Sequence, residues 1–135
     1  MCELRAMAHF KIYGRQEHLR SQHARISDVL HEAAVRTLAL PQDKRFHRFL
    51  PLEAWQLVAP QDRSERYLII EAYMFTGRSV AVRKALIRAV LDDLSRELSL
   101  ATADLEITLF ESARENWGIR GQHGDELMLN YKVDI

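Results

Sequence analysis

Hydrophobic positions along this chain change period twice, in the same order each time. His9-Phe10-Lys11-Ile12-Tyr13 alternates, with Phe10 and Ile12 on one face, which is the period of a half-buried strand. Gly14-Arg15 predicts the end of that strand, because glycine turns a chain without steric cost. From about Glu17 to Leu38 the period becomes helical. Leu19, His23, Ile26, Leu30, Ala33 and Thr37 recur at three- and four-residue steps, and Val29, Ala34 and Leu38 widen the stripe. Pro41 predicts the stop. A second strand is expected around Phe46–Leu50, with a further segment through Trp55 to Val58. Residues 60–64 read as a polar loop.

The plan then repeats. Tyr67–Phe75 is rich in aromatic and branched residues and predicts a strand. Gly77-Arg78 ends it, and Ser79 is placed to cap the next helix by accepting from a free backbone N–H. That helix is expected to reach about Leu98, with Val80, Ile87, Leu91, Leu94 and Leu98 buried. Asp104–Phe110 predicts the last long strand. A loop over 111–124 leads to a segment, 127–135, whose end is expected to be another strand.

Laid over one another, the halves (about 8–58 and 66–117, with a C-terminal arm over 118–135) agree in order. Gly14-Arg15 matches Gly77-Arg78, Asp43 matches Asp104, and Trp55 and Trp117 each close a half. The expected fold is a single α/β domain of the α+β sandwich kind. Two β-α-β repeats form a four-stranded mixed sheet with both helices on one face, each crossover right-handed and its long strands parallel. The other sheet face then carries His9, Lys11, Tyr13, Tyr67, Ile69, Glu71, Tyr73, Phe75, Glu106, Thr108 and Phe110. That mixture is too apolar for water and too polar for a dry core. Its natural cover is another subunit, so a closed oligomer is expected.

Composition narrows the function. The 135 residues suit one domain. Nineteen basic residues balance nineteen acidic ones, which disfavours non-specific nucleic-acid binding. No apolar run approaches the roughly 18 residues of a membrane span, and residues 1–8 lack the regions of a signal peptide. The one cysteine, Cys2, cannot form an internal disulfide and has no fixed base beside it, so a cytoplasmic protein stabilised by burial is expected.

Three segments resemble the tautomerase superfamily in its fused-repeat, trimeric form. They are Leu40-Pro41-Gln42-Asp43-Lys44-Arg45-Phe46, Gly77-Arg78-Ser79, and Glu111-Ser112-Ala113-Arg114-Glu115-Asn116-Trp117-Gly118. The resemblance covers nearly the whole chain and implies a homotrimer. Active members of that superfamily use an amino-terminal proline, whose amine in an apolar pocket has a lowered pKa and serves as a base. Arginines hold the substrate carboxylate and stabilise enolate charge. Here the chain begins Met1-Cys2-Glu3-Leu4-Arg5-Ala6-Met7-Ala8, and its first proline is Pro41. The position where proline would stand falls near Ala6 to Ala8, with Met7 an alternative start. Lys44 stands where some members have aspartate, and Phe75 near where some dehalogenating members have a second arginine.

The resemblance and the residues together give candidate substrate-binding groups. Arg78, at a strand-to-helix junction beside backbone N–H groups, is either a ligand for a small carboxylate or half of an inter-subunit ion pair. Arg45 either joins it or is structural. Asn116 and Trp117 line a pocket wall, unless Trp117 only covers a core. With proline absent, a base is sought among Glu71, His9 and Glu111. Of the histidines, His18, His23 and His31 share one helix without an i,i+4 pair, so no metal site and no cofactor are expected. The two readings are a tautomerase-like enzyme acting on a small carboxylate or keto acid with a base other than proline, and a non-catalytic trimeric binding or structural protein.

Overall fold

The computed structural model describes residues 8–126. Four strands, β1 (Ala8–Arg15), β2 (His47–Leu52), β3 (Leu68–Phe75) and β4 (Leu105–Ser112), form one sheet in the order β2-β1-β3-β4. β1 runs parallel to β2 and β3 parallel to β4, while β1 and β3 meet antiparallel at the centre, with Ile12 opposite Ile70. Two helices, α1 (Gln16–Leu38) and α2 (Val80–Leu98), lie on one face. The expected mixed sheet with one-sided helices is therefore the fold observed.

The strand alternation that predicts this arrangement is the one that builds the core. Phe10, Ile12, Leu68, Ile70, Ala72 and Met74 point to the helices and are fully enclosed with Ile26, Leu30, Leu86, Val90 and Leu94. Burying each such side chain stabilises the fold by roughly 1.5–3 kcal/mol. The α1 stripe is close to expectation, except that His23 lies exposed and His31 is buried, its Nε2–H donating to the Gln42 carbonyl at 2.8 Å. The α2 stripe is rotated. Leu86, Val90, Leu94 and Leu98 are buried, Ile87 and Leu91 flank them half-buried, and Val80 is 58% exposed. Val80 opens the helix, where the chain is still arriving from the sheet edge, and Ser79 caps it by accepting from the Val82 N–H.

Several boundaries differ from expectation for physical reasons. Gly14 does not turn the chain: β1 continues through Arg15, and a Cβ at Gly14 would meet Leu68 and Leu19 at 3.1–3.3 Å. Glycine is needed there for close packing. Gly77, at φ 129°, does turn the chain. α1 ends at Leu38 because Ala39 adopts the left-handed conformation and closes on the Val35 carbonyl, two residues before Pro41. β2 runs to Leu52 through Pro51, which an edge strand tolerates. The segment after β2 is a 3-10 turn, Ala54–Gln56, that leaves Trp55 75% and Val58 94% exposed. Beyond β4 lie a 3-10 turn, Arg114–Asn116, and a hairpin of β5 (Gly118–Ile119) and β6 (Gln122–His123) where a loop is expected. The strand expected within 127–135 lies outside the described residues.

The halves repeat in detail, with a different pairing. Ala39 and Ser99 take the same left-handed cap, and Leu40 and Leu100 behind them are both buried. Lys44 N–H bonds the Pro41 carbonyl as Asp104 N–H bonds that of Ala101, so the partner of Asp104 is Lys44, not Asp43. Trp55 lies inside its turn, whereas Trp117 follows its own.

The sheet face away from the helices is half-buried to exposed except at Tyr67 and Phe75, which are buried. At its centre the Tyr13 and Tyr73 hydroxyls donate to the Glu71 carboxylate at 2.9 and 3.1 Å, with the Lys11 ammonium over the Tyr73 ring. Tyr73 in turn stacks on Phe110 at 4.9 Å.

Candidate functional site

The head of β1 is enclosed by three other segments. The strand ladder sets Ala8 opposite Met74 and His9 opposite Tyr73, near the end of β3. On the other side, Phe10 N–H bonds the Phe46 carbonyl at 2.9 Å, which brings the residue before β2 alongside. β4 ends level with β3, Thr76 N–H bonding Ser112 C=O, and the chain then carries Trp117 back over the face. Gly124 N–H holds the Trp117 carbonyl at 2.8 Å, and a side chain at 124 would strike the Arg114 carbonyl, so only glycine lets the hairpin pack there.

Four rings meet at this point. His9 lies 4.7 Å from Phe46 at 32°, Trp117 meets His9 edge-on at 5.4 Å, and Phe75 meets Trp117 edge-on at 4.9 Å. Phe46 and Phe75 share the parity that places His9 on the open sheet face. Inside the cage, His9 Nε2 and Trp117 Nε1 are both buried and neither has a hydrogen-bond partner among the described residues. A buried polar nitrogen left alone costs about 1–3 kcal/mol, and native interiors rarely leave two together. Burial, and then the Arg48 guanidinium, hold the His9 imidazole below its usual pKa, so it is neutral near pH 7. Arg78 is 7% exposed and follows β3 directly, at the end of the sheet where β1 begins.

The expected site residues divide. Trp117 is brought against His9 at the head of β1, and Arg78 lies buried beyond the end of β3. Asn116 ends the turn before Trp117, exposed, with its backbone bonded to Ala113. Arg45 points the other way. It bonds Asp28 at 2.7 Å and Ser27 Oγ at 3.1 Å on α1, leaving the Ser27 hydroxyl to donate to His47 Nδ1 at 2.7 Å. The alternation of β2 puts Arg45 and His47 toward the helices and Phe46 and Arg48 on the open face, so Phe46 takes the place at the site. Among the candidate bases, Glu71 already accepts two tyrosine hydroxyls and Glu111 is paired with Arg83 at 3.1 Å. His9 alone keeps an unused nitrogen in the cage. Phe46 was legible as a site residue from its parity with His9; Phe75 was noticed only as a departure.

Among the described residues no group of three or more His, Cys, Asp or Glu is placed to hold a metal ion. No helix among them is long and apolar enough to cross a membrane.

Residues 44–120 match a protein-family model described as tautomerase enzyme. Solved structures agree in fold. The chain is similar to FG41 malonate semialdehyde decarboxylase inhibited by 3-bromopropiolate, at 24% identity and TM-score 0.72 over 82% of this chain and 87% of that one. It is similar to a wild-type fused 4-OT that forms an asymmetric trimer, at 21% identity and TM-score 0.77 over 87% and 97%. A member of the cis-3-chloroacrylic acid dehalogenase family aligns at 18% identity and TM-score 0.73 over 84% and 81%.

Proposed function

The chain belongs to the tautomerase enzyme family, and from that premise we propose that it binds a small keto acid at the head of β1 and moves a proton between its keto and enol forms with His9 as the base. The observation that carries this reading is the pair of unpartnered nitrogens, His9 Nε2 and Trp117 Nε1, enclosed in one aromatic cage. Of the candidate bases, His9 is taken as the proton acceptor because Glu71 and Glu111 are already engaged.

The roles follow from donor and acceptor chemistry. The substrate carboxylate goes to Arg78, whose planar fork suits it. His9, neutral and with Nε2 unprotonated, accepts a proton from the carbon beside the ketone. The electron pair moves to the ketone oxygen, and the Trp117 Nε1–H donates to that oxygen as charge develops. The His9 imidazolium then passes that proton to the enolate oxygen to give the enol, and the same transfers run in reverse give the ketone. A positioned base of this kind contributes about 10²–10⁴-fold. Phe75, fully buried, excludes water on its side, which keeps the imidazole neutral and strengthens both polar contacts.

The same reading makes the subunit part of a homotrimer. Its support is the half-covered sheet face around Glu71, together with the trimeric assembly of the fused 4-OT relative.

Ketonisation of phenylpyruvate enol, followed by loss of enol absorbance, tests the site. Turnover is expected from the wild type, with kcat reduced at least 100-fold in His9→Gln and KM raised in Arg78→Ala. Equal turnover by His9→Gln would overturn the assignment of the base.

A further inference from the structure

The central β1–β3 ladder has a second end, and it is built like the first. Where Ala8 of β1 meets Met74 of β3 at one end, Gly14 meets Leu68 at the other. Arg78 follows β3 before α2, and Arg15 closes β1 before α1. Beside Arg15 opens a cavity of about 440 Å³ lined by Arg15, Glu17, His18, Glu65 and Arg66. We propose that this cavity is a second binding site, for a small monocarboxylate, in which Arg15 and His18 are the ligands.

Among the described residues the Arg15 side chain makes no hydrogen bond and no ion pair, and its Nε is buried without a partner; so is His18 Nε2. Both residues line the cavity, and neither side chain has an acceptor among the described residues. Nearby carboxylates do not supply it. Asp104 is occupied by the Ser64 N–H at 2.7 Å and hydroxyl at 2.5 Å, while Glu17 and Glu65 are exposed. Arg66 is fixed by donating to the Leu98 and Ser99 carbonyls and shapes the wall. Burial and then Arg66 lower the His18 pKa, with Asp104 opposing, so His18 serves as a neutral donor.

The groove between the helices shows the contrast. It is larger and lined by Arg25, Arg36, Arg45 and Arg96, but each of these has a carboxylate partner, respectively Glu97, Asp93, Asp28 and Asp93. Unlike this groove, the Arg15 cavity is lined by a guanidinium without a carboxylate partner among the described residues. The lining carries no net charge, Arg15 and Arg66 balancing Glu17 and Glu65, so it suits a monoanion better than the phosphate dianion.

Histidine-selective ¹⁵N spectra of the intact protein, titrated with phenylpyruvate and separately with inorganic phosphate, test the proposal. Phenylpyruvate is expected to shift the His18 ring signals saturably at millimolar concentration. Arg15→Gln should abolish that shift and leave any His9 shift in place, and Arg15→Lys should weaken it. His9 reports the site at the head of β1 separately, so failure of one site does not hide the other. A His18 signal that does not move, moves equally in Arg15→Gln, or responds more to phosphate than to phenylpyruvate would overturn the assignment.

Discussion

Trp117 meets His9 edge-on with ring centroids 5.4 Å apart, and each ring buries a nitrogen that has no hydrogen-bond partner among the described residues. The geometry separates two roles of the indole, as packing surface and as donor. Trp117→Phe keeps a ring against His9 and Phe75 but removes the N–H. The melting temperature is expected to stay within a few degrees of wild type, since no hydrogen bond within the subunit is lost. Affinity for an enolate mimic is expected to fall about tenfold, the size of one hydrogen bond of about 1.4 kcal/mol. Calorimetric titration with oxalate checks this; unchanged affinity would reduce Trp117 to a lid.

Self-association is the second expectation. Tyr73, Phe110 and Ile69 share the open face with Glu71, and Phe110 remains exposed in the subunit. Light scattering should report about three times the 15.7 kDa chain mass. Phe110→Glu should shift the mass toward the monomer by placing a charge where the partner is expected. A wild-type monomer would remove the trimer reading.

Much of this architecture was legible in the sequence because strand and helix periods differ sharply. Alternation alone assigned Phe10, Ile12, Leu68 and Ile70 to the core, and Ser79 marked the α2 start through its capping chemistry. What failed were inferences that needed the third dimension. Gly14 looked like a turn, but its role is to admit Leu19 and Leu68. Val80 matched the helical period yet sits where the helix has not reached the core. Arg45 lies in a family-like segment, but strand parity aims it at Asp28. The cage is assembled from residues 9, 46, 75 and 117, on two strands, the residue before a third and a loop, and no local pattern links them.

Acid stability follows from His47. Its pKa is lowered from 6.5 to about 4 by burial first, then by Arg45 and His31. Because the folded pKa lies below the unfolded one, the unfolded chain takes up the proton first. The stabilisation is therefore complete above pH 6.5 and is lost as pH falls toward 4, amounting to no more than about 3 kcal/mol. Urea unfolding of His47→Gln should show a shallower loss of stability than wild type over that range. Identical pH dependence in the two proteins would mean that His47 does not titrate as described.

The claim that His9 takes the proton is tested most directly by deuterium exchange at the methylene of phenylpyruvate in D₂O, followed by proton NMR. The wild type is expected to accelerate exchange above the solvent rate, with the acid limb of its pH profile below 6.5 because burial and Arg48 depress the His9 pKa. His9→Gln is expected to lose at least 100-fold of that acceleration while still binding the acid. Exchange at the wild-type rate in His9→Gln, with the same pH profile, would contradict the account.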